Sequence, residues 1–128
     1  MAKDLTISLE DKPGELERLA AALASADINI LGGCGSTAQG TGEIHIAVED
    51  SAKARTALSA KGIGVKKERD VMLIYMRAVP GELDRQTRAL SDAGVNIELF
   101  YWSEDGRLVV GVDDLAKAKA ALYAHDSV

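Results

Sequence analysis

Asp11, Pro13, Gly14 and Glu15 form the stretch of this chain whose residue types and spacing first suggest chemistry. They follow an alternating apolar run and come directly before a helical pattern. The free N–H groups and the dipole at a helix start favour an anion such as a carboxylate. The carboxylates of Asp11 and Glu15 could hold an ammonium group, and Gly14 lets a ligand approach the backbone. The sequence therefore predicts a ligand-binding loop here.

The same stretch occurs a second time, at an offset of 67 positions from Pro13 to Pro80. The matched segments are Pro13-Gly14-Glu15-Leu16 with Pro80-Gly81-Glu82-Leu83, Arg18 with Arg85, and Asn29-Ile30 with Asn96-Ile97. A further match joins Val48–Ala54 to Val112–Ala118 at an offset of 64. Such self-similarity indicates one structural unit written twice. We predict a first repeat at 1–69 and a second repeat at 70–128.

The elements that must position these loops follow from the hydrophobic periods. Each repeat shows the order β-α-β-β-α-β, except that the last strand of the first repeat has no counterpart in the second. The charged run 65–69 predicts an edge strand, whereas the nearly apolar run 71–78 predicts a central strand. The Gly-rich segment 32–42 is predicted as a flexible hairpin connection. The fold class is therefore α+β, with two ferredoxin-like units sharing an antiparallel sheet and helices on one face.

Composition narrows the possible functions. The net charge of −5 argues against a nucleic-acid surface, and no segment is long and apolar enough to span a membrane. Met1 leads straight into a strand pattern without a signal peptide, and the single cysteine fits a reducing compartment, which predicts a cytoplasmic protein. Cys34, His45 and His125 are too few for a Cys/His metal cluster, and no pattern requires a cofactor.

We expect Cys34, His45 and the aromatic residues 100–102 to have structural roles. Cys34 has no neighbouring base in sequence, and a partner at His45 across a hairpin is geometrically possible, but we expect His45 to be an ordinary strand residue. Phe100-Tyr101-Trp102 is the one aromatic cluster. Because consecutive strand residues point to opposite faces, these three cannot form one stacking platform. We expect them to serve core and interface packing.

The chain resembles a tandem ACT-domain protein. The resemblance is carried by Asp11-Lys12-Pro13-Gly14-Glu15-Leu16 after the first strand, by Asn29-Ile30, and by the repeat of both in the second half. ACT domains are small regulatory folds that sense amino acids or other small ligands. They usually pair edge to edge through their second strands into a continuous eight-stranded sheet, with the ligand between the first strand–helix loop of one copy and the second strand of the other.

The resemblance implies two sites in this chain. The first joins one loop to the facing strand, with residues Asp11, Pro13, Gly14, Glu15, Leu16, Asn96, Ile97 and Glu98. The symmetric site has Pro80, Gly81, Glu82, Leu83, Asn29, Ile30 and Leu31. Ala78-Val79 replaces Asp11-Lys12 in the second repeat, and Arg77 replaces Glu10. We therefore expect unequal sites, with the Asp11 site the stronger.

The resulting prediction is a non-enzymatic amino-acid sensor that forms a homodimer. Two alternatives stay open from the sequence. One is a ligand-free interaction module that docks on a partner enzyme or transcription factor. The other is an enzyme on a ferredoxin-like scaffold, which ranks last because the sequence offers no convincing nucleophile–base pair or metal set.

Overall fold

The computed structural model describes residues 1–126 and confirms the α+β class with two repeated units. The first repeat consists of β1 (Lys3–Glu10), α1 (Glu15–Ser25), β2 (Gly32–Ala38), β3 (Thr41–Val48), α2 (Ser51–Ser59) and β4 (Val65–Asp70). The second consists of β5 (Met72–Ile74), α3 (Glu82–Asp92), β6 (Ile97–Trp102), β7 (Leu108–Val112) and α4 (Leu115–Asp126). Within residues 1–126 the second repeat has no fourth strand.

The first sheet has the order β2-β3-β1-β4 with antiparallel pairing throughout. The alternation of β1 directs Leu5, Ile7 and Leu9 toward the helices, where Leu19 and Leu58 complete the core. The Asp50 carboxylate accepts the backbone N–H of Lys53 at 3.0 Å and so caps α2. β4 is an edge strand, also as predicted.

The second sheet has the order β5-β7-β6, which places β5 at an edge. The prediction of a central strand over 71–78 is therefore wrong, and only Met72–Ile74 pairs. The reason is that both faces of this segment are covered without two neighbouring strands. Ile74 and Met76 pack under α3 and α4, while Val71 and Leu73 pack against the first repeat. A run of apolar residues indicates that both faces of a strand are buried. A strand at the edge of a sheet can be buried on both faces as well as a central one.

The Gly-rich segment is mostly a strand, which corrects the prediction of a flexible connection. β2 covers Gly32–Ala38, and only Gln39 and Gly40, with φ of 54° and 81°, form the tight turn. Asn29-Ile30 lies just before this strand. The glycines permit close contact, since a Cβ on Gly33 would lie 2.7 Å from the carbonyl oxygen of His45. Composition suggested flexibility, but pairing with β3 decides the conformation.

The two sheets pack against each other on the faces that point away from the helices. Ala47 of the first sheet lies in one cluster with Val71, Tyr101 and Val109 of the second repeat. The molecule thus has four layers, with α1 and α2 on one outside and α3 and α4 on the other. In each repeat, the sheet face without helices is covered by the other repeat.

The path of β6 shows that the sheets cross. Ser103 forms a bridge to Gly32 at β2, Tyr101 bonds to Asp4 on β1, and Glu98 bonds to Arg69 on β4. From β2 to β4 is about 14 Å across the sheet, and six residues of a strand span about 17 Å. β6 therefore runs across the strands of the first sheet. Instead of one continuous sheet, a single bridge in the described part of the chain joins the second strands of the two repeats.

No helix among residues 1–126 has the length and the apolar character that crossing a membrane requires.

Candidate functional site

The loop before α1 has the geometry of an open helix start. Gly14 takes φ of 90° at the N-cap, and no side chain caps the helix. The first helical hydrogen bond runs from the N–H of Arg18 to the carbonyl of Gly14 at 2.9 Å. The N–H of Asp11 donates to the carbonyl of Gly40 at 3.0 Å, which ties the loop to the β2–β3 turn. The N–H groups of the first turn are thus available to an acceptor.

The two carboxylates of this loop differ in their partners. Glu15 receives hydrogen bonds from Arg18 at 3.1 and 3.3 Å, and Arg18 also donates to the carbonyl of Lys61 at 2.8 Å. These bonds lower the pKa of Glu15. Asp11 is exposed, and its carboxylate has no hydrogen bond or ion pair with any other described residue. Of the two, Asp11 is the carboxylate that is available to a ligand's ammonium group.

A cavity of about 580 Å³ lies beside this helix start, on the helix side of β2. That volume falls within the roughly 300–1,000 Å³ typical of small-molecule sites. Leu16 and Ile30, both named from the sequence, line it together. The other lining residues are Leu19, Gly33, Cys34, Gly35, Ser36, Thr37, Ile44, His45 and Ile46. The cavity therefore has mainly apolar walls, and Ser36 and Thr37 are its hydroxyl-bearing residues, near the β2–β3 turn.

The corresponding place in the second repeat has a different electrostatic character. Glu82 is buried at the start of α3 and accepts hydrogen bonds from the N–H of Arg77 at 3.0 Å and from the side chains of Arg77, Arg85 and Gln86 at 2.8 to 3.2 Å. The bonds from Arg85, followed by those from Arg77, hold the pKa of Glu82 far below its usual range. Its carboxylate already has a full set of donors.

The strand segments named from the sequence lie apart from the loops they were expected to face. Glu98 bonds to Arg69 at 2.8 Å, and Arg69 stands opposite Asp4 on β1. Asp11 lies beyond the far end of β1, roughly 20 Å away at about 3.3 Å per residue. No contact in the described chain joins Asn96–Glu98 to the Asp11 loop.

The second predicted pairing is also without a direct contact among the described residues. The side-chain amide of Asn29 donates to Glu104 at 2.8 Å, and the Leu31 carbonyl accepts the N–H of Glu104 at 2.7 Å. Ile74, before Pro80–Leu83, and Trp102, before Glu104, both pair with Leu108. Pro80–Leu83 therefore lies at the same end of the second sheet as Glu104. The Asn29–Leu31 segment thus serves the contact between the repeats.

Sequence reasoning missed a buried polar cluster between the sheets. The fully buried carboxylate of Asp4 accepts the hydroxyl of Tyr101 at 2.7 Å and lies 3.0 Å from Nδ1 of His45. Burial, followed by the bond to Asp4, raises the pKa of Tyr101. Only alternation hinted at this cluster, since it puts Asp4 and Thr6 on the sheet face that the second repeat covers.

Cys34 has the environment of an unreactive thiol. Burial, followed by the charges of Asp4 and Glu43, raises the pKa of Cys34. A nucleophilic cysteine needs the opposite shift. Among the described residues, no three His, Cys, Asp or Glu side chains converge in a way that could hold a metal ion.

Comparison with known proteins agrees with this architecture. The profile of the ACT domain pair family matches residues 1–126. The crystal structure of protein BT0572 from Bacteroides thetaiotaomicron is similar, with 30% identity, a TM-score of 0.85, and coverage of 97% of this chain and 88% of that one. Among curated proteins no sequence matches significantly. This chain belongs to the ACT domain pair family.

Two further structures show the same fold at lower identity. The regulatory subunit of aspartate kinase from Thermus thermophilus has 23% identity and a TM-score of 0.74, over 98% of this chain and 90% of that one. The corresponding subunit from Thermus flavus has 23% identity and a TM-score of 0.71, with the same coverage.

Proposed function

We propose that this protein is a non-enzymatic sensor that binds an amino acid at the start of α1 and regulates a partner protein. The observation that carries the proposal is a cavity lined by Leu16, in the first turn of the uncapped helix α1, and by Ile30. The loop before this helix carries Asp11, whose carboxylate has no partner among residues 1–126. The helix N–H groups suit an α-carboxylate, and Asp11 suits an α-ammonium. Membership of a family of small regulatory folds supports the same function.

The proposal includes a homodimer in the cytoplasm. The outer edges of β2 and β6 beyond their single bridge, and the outer edge of β5, have no strand partner among residues 1–126. Unpaired edges are ready templates for another chain. Within one chain the Asn96–Glu98 strand lies far from the Asp11 loop. A second copy would bring a strand toward that loop. The single unpaired cysteine suits a reducing compartment.

The proposed output is the regulation of a partner protein. The Thermus proteins are described as regulatory subunits of aspartate kinase, but 23% identity carries only the shared fold. We propose that the output passes through contact with another protein.

A thermal-shift panel with the twenty amino acids tests the proposal. Ligand binding to the folded state adds about 2.7 kcal/mol at a hundredfold excess over the dissociation constant, which is several degrees for a chain of this size. We expect a shift with one or a few amino acids, lost in Asp11→Ala and kept in Asp92→Ala, an exposed aspartate on α3. No shift with any amino acid would contradict the sensor function and favour a ligand-free interaction module.

A further inference from the structure

The two repeats differ in the strand that lies beside the candidate site. At the offset of 67, Gly33 and Gly35 of β2 correspond to Phe100 and Trp102 of β6. The strand registers show the same correspondence. Gly33 pairs with Ile46 and Gly35 with Ile44, as Phe100 pairs with Val110 and Trp102 with Leu108. One repeat therefore lacks two large side chains at positions where the other has them.

These positions lie on the helix side of each sheet. Ile44 and Ile46 pack with the first core, and Leu108 and Val110 with the second. Because directly paired residues share a face, Phe100 and Trp102 project on the α3 side of β6. The equivalent face of β2 carries only hydrogen atoms at Gly33 and Gly35, and the cavity of about 580 Å³ lies over it.

The helix that faces this strand also differs between the two repeats. Leu19 of α1 lines the cavity, whereas the corresponding residue of α3 is Gln86. Gln86 is buried and donates to Glu82 at 3.2 Å, and its Oε1 has no hydrogen-bond partner within residues 1–126. The second repeat thus combines a polar helix face with aromatic residues on the strand. The first repeat combines an apolar helix face with glycines.

We infer that the first repeat alone binds the amino acid, and that the ligand has a large apolar side chain, aliphatic or aromatic. This inference rests on the proposed function and specifies the ligand of the same site. The side chain enters the space over Gly33 and Gly35, the positions at which the second repeat carries the half-exposed side chains of Phe100 and Trp102. The α-carboxylate and α-ammonium groups remain at the helix start, with Thr37 and Asp11 nearby.

The walls discriminate against polar ligands. Leu16, Leu19, Ile30, Ile44 and Ile46 offer no hydrogen bond from their side chains. A serine hydroxyl or a lysine ammonium placed among them would lose its water without compensation. A phenylalanine or leucine side chain gains the hydrophobic contribution instead. The second repeat differs again, because the Glu82 carboxylate already binds the guanidinium groups of Arg77 and Arg85 beside the start of α3.

Calorimetric titration of the whole chain with single amino acids tests the inference. L-Phenylalanine, L-leucine and L-methionine are compared with L-serine, L-aspartate and L-lysine. We expect one apolar amino acid bound per chain, and at least about tenfold weaker binding in Leu16→Asp, since that change puts a charge in the apolar wall. Leu16 is exposed in the first turn of α1, where an aspartate suits the helix dipole. The variant should therefore fold, as its thermal midpoint would show.

Leu83→Asp is the matched control, because Leu83 is the exposed counterpart of Leu16 on α3. It should bind like the wild type. Binding of only small or charged amino acids, or loss of binding in Leu83→Asp but not in Leu16→Asp, would overturn the inference while leaving the sensor function standing. If no amino acid binds the wild type, the proposed function itself fails. If Leu16→Asp dissociates a dimer in that case, the cavity holds a second copy.

Discussion

Asp4 is the residue on which the polar contact between the two repeats depends most. Its carboxylate is fully buried, yet it holds Tyr101 from the other repeat and lies beside His45 of its own sheet. A buried carboxylate is costly unless its oxygens are hydrogen-bonded. The cluster therefore fixes how the sheets cross, because β6 must bring Tyr101 over β1.

Tyr101→Phe should lower the free energy of unfolding by about 1–3 kcal/mol, since it leaves Asp4 buried with one donor fewer. The measurement is urea unfolding followed by circular dichroism. Tyr75→Phe is the control, because the Tyr75 side chain is mostly exposed and its hydroxyl has no described partner. Equal stability of the two variants would show that the Tyr101–Asp4 bond contributes nothing.

Glu82 gives a prediction about acid. Its pKa is held far below the ordinary value of 4.5 in the folded state, so its contribution is complete above that value and is lost as pH falls below it. Glu82→Gln should be less stable at pH 7 and should lose less stability between pH 5 and pH 2. Urea midpoints measured across that range test this. Glu15→Gln is the matched control in the first repeat and should show a smaller effect, because Glu15 has one arginine partner. Parallel profiles for wild type and Glu82→Gln would contradict the prediction.

At the scale of elements, β2 is the strand that serves both the cavity and the junction of the repeats. Gly33 and Gly35 border the cavity, and Gly32 forms the bridge to Ser103. A Cβ on Gly32 would lie 2.8 Å from the Cα of Ser103 and 2.9 Å from the carbonyl oxygen of Trp102. Both are backbone atoms, so the strands would have to separate.

Gly32→Ala should therefore destabilise the chain by about 1–3 kcal/mol, as overpacking of a close contact does. Gly64→Ala is the control, since a Cβ there meets nothing within 4 Å and should be neutral or stabilising by up to about 1 kcal/mol. Denaturant unfolding of both variants measures the difference. A Gly32→Ala protein as stable as Gly64→Ala would mean that the bridge does not hold the repeats together.

The sequence predicted the helices and strands better than it predicted which elements lie next to each other. Alternation in β1 and the capping residue Asp50 depend on local geometry, so they could be inferred from one chain. The edge position of β5 and the strand at Gly32–Ala38 depend on which surfaces pack together. A local sequence pattern does not contain that information. The same holds for the site. The helix start at Gly14 was visible in the sequence, whereas the cavity over Gly33 and the bonds of Glu82 required the packed repeats.

At the scale of the whole molecule, the crossed sheets leave edges that a second copy would cover. We expect sedimentation velocity to give the mass of a dimer at micromolar concentrations. The physical reason is that unpaired N–H and C=O groups along β2 and β6 gain partners when another chain adds a strand. A monomer at all these concentrations would contradict the proposed assembly, though not the ligand cavity.

Amide chemical-shift mapping by NMR tests the central claim most directly. Adding L-phenylalanine or L-leucine to the ¹⁵N-labelled chain should shift the amides of the α1 start, Glu15–Glu17, and of the cavity strand, Gly33–Thr37. The equivalent amides at Glu82–Asp84 and Phe100–Glu104 should change less. Changes confined to the second repeat, or no changes at saturating concentrations of any amino acid, would contradict an amino-acid site in the first repeat.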